Sequence, residues 1–108
     1  MFAVYRTDTD GCTYSSDTIL FVTADEQTAR DAVTLAELEH EEASKIERPT
    51  WTVDDIKRKG AEWCMNLLEE YAEKLTAIFT VDVPKQPGHK RTYVDSNVSY
   101  YYEEVEVR

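Results

Sequence analysis

The chain has 108 residues, 42% of them apolar, and a net charge of −10. That is enough for a single domain over 1–108 with one core, and too apolar for a disordered chain. The acidity opposes direct binding to nucleic acid or anionic membranes. The longest apolar runs, such as Ile19-Leu20-Phe21-Val22, fall far short of the roughly 20 residues of a membrane-crossing helix.

In chain order, Phe2 to Thr7 is a short run of β-formers. Asp8-Thr9-Asp10-Gly11 then supplies turn chemistry, because Asp tolerates a turn and Gly provides positive φ. Thr18 to Val22 reads as a second strand of the same hairpin. Thr23 followed by Glu26 is the signature of a capping box, which predicts a helix to about Ile46. Its stripe is built from small residues, Ala29, Ala32, Val33, Ala36 and Ala43, with Leu35 and Leu38 beside it. Pro49 forbids continuation. Thr52 with Asp54 and Asp55 marks a second start. From there Ile56, Gly60, Trp63, Cys64, Leu67, Leu68, Tyr71, Leu75 and Ile78 recur at helical spacing. Phe79 to Val83 alternates like a strand and stops at Pro84. A loop with Pro87 and Gly88 follows, then a short strand at Arg91 to Val94, a turn at Asp95-Ser96-Asn97, and a final strand from Val98 to Val107. In that strand the face carrying Tyr101, Glu103, Val105 and Val107 is expected to meet the helices near its C-terminal end, with the aromatic-rich start wetted on one side.

The resulting order is β-β-α-α-β-β. It predicts an α+β fold: an antiparallel sheet of about four strands, covered on one face by a two-helix hairpin. The opening residues, Met1 to Asp8, lack the basic start and apolar run of a signal peptide. The two cysteines, Cys12 and Cys64, form no framework. A reducing compartment, the cytoplasm of a host cell, is the expected location.

Three phrases carry a resemblance: Phe2-Ala3-Val4-Tyr5 with Asp10-Gly11, then Phe21 to Ala29 (FVTADEQTA), then Tyr101 to Val107 (YYEEVEV). They resemble a loose group of small uncharacterised phage and bacterial β-β-α-β proteins. In those, a hairpin leads into a helix beginning S/T-x-E-x-A, and the chain closes on a YYxEEVEV-type strand. The likeness covers the two ends and leaves out the longer middle, Leu35 to Phe79. It implies a fold and a phage or mobile-element origin, and it transfers no catalytic residue.

Candidate chemistry is sparse. Glu37-Leu38-Glu39-His40 holds a single Glu-x-x-His, whereas a di-iron bundle needs two such motifs and two further glutamates. His89 stands alone in its loop. Cys12 follows a glycine with no nucleophile signature around it, and Cys64 belongs to a core stripe. Nucleotide-binding glycine motifs are missing. Tyr93, Tyr100, Tyr101 and Tyr102 suit a stacking platform, but without the basic groove such a platform needs. No enzyme, cofactor or metal is therefore expected.

The charge pattern is more informative. Ala24 to Arg48 carries eight acids against three bases, while Thr80 to Val94 has one acid and three bases. Helical neighbours one turn apart lie about 5–6 Å from each other, close to the spacing of successive phosphates. A row of Glu37, Glu39, Glu41, Glu42 and Glu47 is thus a candidate partner-binding face. It would suit a host protein with a basic nucleic-acid-binding surface, such as a defence enzyme inhibited by the contact. The alternative is a structural or assembly role as a homodimer or larger homo-oligomer held through the helices, with Trp51, Trp63 and Tyr71 as anchors.

Overall fold

In the computed structural model, residues 1–9, 14–84, 86 and 88–106 are described. The expected turn at Asp10-Gly11, Cys12, Pro87 and the last strand residue, Val107, lie outside them. The elements are β1 (Phe2–Thr9), β2 (Ser15–Thr23), α1 (Glu26–Ser44), α2 (Val53–Lys59), α3 (Ala61–Ile78) and β3 (Val98–Glu104). The fold is α+β, with a three-stranded antiparallel sheet in the order β2-β1-β3. The hairpin register runs from Phe2↔Thr23 to Thr9↔Ser15 and slips by one residue between Val4 and Tyr5. Val4 faces Phe21 and Tyr5 faces Ile19, so Leu20 is the extra residue.

Local chemistry explains the helix boundaries. Asp25, rather than Thr23, caps α1: its carboxylate accepts from the Gln27 N–H and the Thr28 hydroxyl, and Thr23 Oγ1 accepts from the Asp25 N–H. Thr52 caps α2 in a full capping box with Asp55. The second helix, expected to be continuous, breaks at Gly60. There the backbone takes φ +85° and ψ 162°, a region open in practice only to glycine. Among the described residues, three helices therefore stand in place of the expected two-helix hairpin.

The sheet has three strands among the described residues, not four. Phe79–Val83 is not a strand: Phe79 and Asp82, three residues apart, are the buried positions, and the Thr80 and Val81 N–H groups donate to Glu39. Arg91 N–H donates to Thr76 Oγ1 instead of joining a ladder. β3 also turns over relative to expectation. Tyr100 is buried and Tyr102 packs with Val4, Ala29 and Ala32, so these two face the helices. Tyr101 stacks on Tyr5 on the open face, with ring centroids 4.9 Å apart. The register sets this, because β1 pairs Tyr5 with Tyr101 and Val4 with Tyr102.

The core has two parts. One joins Val4, Ala29 and Ala32 beneath the sheet; the other joins Ala43, Tyr71, Leu75 and Phe79 between α1 and α3. Alanines on the inner face of α1 allow this close approach. The molecule is long, 59 × 30 × 24 Å, with a radius of gyration of 17.2 Å, against about 13 Å for a compact chain of this length. No helix among the described residues is long and apolar enough to cross a membrane.

Candidate functional site

The five candidate carboxylates do not form one row. Glu37, Glu41 and Glu42 are exposed on α1, and Glu47 is exposed just beyond it. Glu39 is buried, at 7% exposure, and is corrected out of the partner-binding set. Its carboxylate accepts from Thr80 N–H at 2.9 Å, from Val81 N–H at 3.4 Å and from the Thr80 hydroxyl. It thereby holds the segment leaving α3. The signal was present in the spacing: Ala29, Ala32, Ala36, Glu39 and Ala43 follow one another at steps of three and four, so Glu39 belongs to the inner face.

On the outer face, Leu35 and Leu38 are 45% and 57% exposed. They stand beside the acids instead of flanking the core as their spacing suggested. Glu42 pairs only loosely with Lys45, at 3.9 Å, both being largely exposed. This face thus combines two apolar side chains with three carboxylates. His40 takes no part in it: its Nε2 lies 2.6 Å from the Asp95 carbonyl and its ring meets Tyr100 edge-on. Cys64 is buried and free. Among the described residues, no group of three or more His, Cys, Asp or Glu side chains is placed to hold a metal.

A second locus escaped the sequence reading. Asp82 is 1% exposed and lies at the centre of an ion network. Arg6 Nη1 and the Tyr100 hydroxyl each donate to it at 2.8 Å, and Arg91 Nη2 makes an ion pair with it at 2.7 Å. Arg91 Nη2 also donates to the Asp82 carbonyl, and its guanidinium lies 4.1 Å from the centre of the Phe79 ring. Burial, then the hydrogen bond to Asp82, drives the Tyr100 phenol far above its ordinary pKa, so it remains a donor. On the other side of the network, Asp82 raises the Arg6 pKa, against the opposing pull of partial burial, and Asp8 adds to it from 3.1 Å. The hint in the sequence was the lone acid of Thr80 to Val94, set between two valines.

The network forms one wall of an open cleft of about 320 Å³, lined also by His89, Lys90 and Tyr93. Its cations are engaged in ion pairs, Arg6 and Arg91 with Asp82 and Lys90 with Glu73 at 3.2 Å, although the buried Arg91 Nε has no hydrogen-bond partner among the described residues. The cleft is therefore read as a brace. It ties β1, β3 and the segments around Asp82 and Arg91 together. The tyrosines do not share a platform either: Tyr100 is buried, Tyr101 is stacked, Tyr102 donates to Glu26, and Tyr93 alone of the four is largely exposed.

No family model, curated protein or solved structure matches this chain.

Proposed function

We propose that this chain is a non-catalytic, acidic protein-binding module of phage or mobile-element type. It inhibits a host nucleic-acid-handling defence protein by covering a basic surface. The observation that carries this reading is the outer face of α1. There Glu37, Glu41 and Glu42, with Glu47 beyond the helix end, accompany the exposed Leu35 and Leu38. Carboxylates would steer and orient a basic partner, while the leucines would supply the apolar contact that holds it. Glu39 has no part in the contact, because it is spent inside the fold.

The test is affinity capture from host lysate with nuclease present, repeated with the Glu37→Lys, Glu41→Lys, Glu42→Lys triple variant. All three sites are exposed, so each change should alter stability by no more than about 0.5 kcal/mol. A nucleic-acid-handling protein retained after nuclease should lose affinity by about 100-fold or more in the variant. Equal capture by the variant refutes the electrostatic reading.

A further inference from the structure

Helix α2 stands apart from the rest of the described chain. Among the described elements α2 touches only α3, and none of its residues is buried. Val53 and Ile56, three residues apart and so on one side of α2, are 68% and 40% exposed. Met65 follows in α3 at 63%. It forms the lip of a shallow, open groove continued by Leu68 and Ala72. Tyr71, an anchor by sequence, is buried in the core, and Trp63 is half-covered with Lys59 lying 4.3 Å from its ring centre. The apolar side chains exposed on α2 are therefore Val53 and Ile56, while Met65 lines a groove between α3 and the 88–92 segment.

A compact monomer of 12.5 kDa exposes about 6,200 Å², whereas the chain as a whole exposes 7668 Å². The charge pattern of α2 indicates what covers it. Asp54 and Asp55 lie in its first turn and Lys57, Arg58 and Lys59 in its last. α2 is thus cationic by one charge within a chain of −10, and neutral together with Glu62 in the first turn of α3, so two copies can meet here without net acidic repulsion. Antiparallel pairing about a twofold axis sets the acidic end of each α2 against the basic end of the other. Asp55 is already held by Thr52 and Arg58, and Lys59 by Trp63, which leaves Asp54 and Lys57 to face the partner copy.

We propose that a second copy of this chain packs against α2, forming a twofold dimer with Val53 and Ile56 at its centre and Asp54 opposite the partner copy's α2 bases. This surface is separate from the outer face of α1, so the dimer stands or falls independently of the inhibitor reading.

The test is light scattering on the full chain over a wide concentration range. The expected result is a mass rising from 12.5 kDa to twice that value. Val53→Asp and Ile56→Asp each weaken the dimer by roughly tenfold or more, with far-UV circular dichroism unchanged because both positions are exposed. Asp54→Lys and Lys57→Asp each weaken it, and the two together restore it. A chain that stays monomeric at every concentration overturns the proposal. So does a dimer indifferent to Ile56→Asp, or one that the combined charge swap fails to restore but Glu41→Lys disrupts, since the basic end of α2 would then be meeting α1 of a neighbour.

Discussion

Replacing Asp82 with Asn tests whether the buried network holds the fold. The change keeps the shape and removes one charge. It leaves two guanidiniums, 25% and 17% exposed, facing an amide that can accept from one donor well but cannot neutralise either cation. Breaking a buried ion pair from one side costs about 3–5 kcal/mol. The residual exposure of the arginines places this case near the lower end, about 3 kcal/mol. For a domain whose total stability is about 5–15 kcal/mol, that is a large fraction. With a urea dependence of about 1–3 kcal/mol per molar, the unfolding midpoint should fall by roughly 1–3 M. Urea unfolding followed by circular dichroism and by tryptophan fluorescence reads this directly. Asp8→Asn is the control. Asp8 meets Arg6 at 3.1 Å but is 32% exposed, so its loss should cost no more than about 1 kcal/mol. An Asp82→Asn variant within about 1 kcal/mol of the parent would refute the reasoning, for a charge that buried should be worth more than an exposed pair.

Glu39→Gln should destabilise the protein by about 1.5–3 kcal/mol, the worth of a hydrogen bond to a charged acceptor. Hydrogen exchange at the Thr80 amide should accelerate with it, and an unchanged Thr80 amide would count against the assignment. The helix caps give a pH dependence. Hydrogen bonds from Thr28 and then Gln27 hold Asp25 below its ordinary pKa, and the Thr52 N–H does the same for Asp55. A carboxylate depressed in the folded state contributes stability that is present above its unfolded pKa and lost as pH falls through the folded one. Acid titration should therefore show helix stability declining below about pH 4, and Asp25→Asn should flatten that decline.

Local periodicity and the Thr52 cap were more legible in the sequence than the partners of each element. Thr52 with Asp55 was readable because capping is local, as was the apolar periodicity of α3. Phe79–Val83 was not: alternation reports a segment with two different sides, and a buried Glu39 or Asp82 can occupy one side as well as a neighbouring strand can. Gly60 counted equally well as a position in an apolar stripe, and only its backbone angles separate α2 from α3. At the candidate site, charge alone grouped Glu39 with Glu37 and Glu41. The alanine spacing around Glu39 separates them, because it tracks which side of the helix is inward. Arg6 reaches across the chain to join Asp82, Arg91 and Tyr100, which lie in three separate stretches of its last third, and no local periodicity brings such residues together.

The strand order has a consequence for how the chain is made. β1 lies between a neighbour that follows it almost at once and another more than ninety residues later, with Phe2 opposite both Thr23 and Glu104. On a ribosome the β1–β2 hairpin can close early and α1 can settle over Val4, but the other edge of β1 stays bare until β3 has been synthesised. That edge includes Ala3, Val4 and Tyr5, an open row of backbone donors and acceptors of the kind that recruits foreign strands. Nascent chains stalled before Val98 should be the sticky ones, and slow translation through the helices would prolong their exposure.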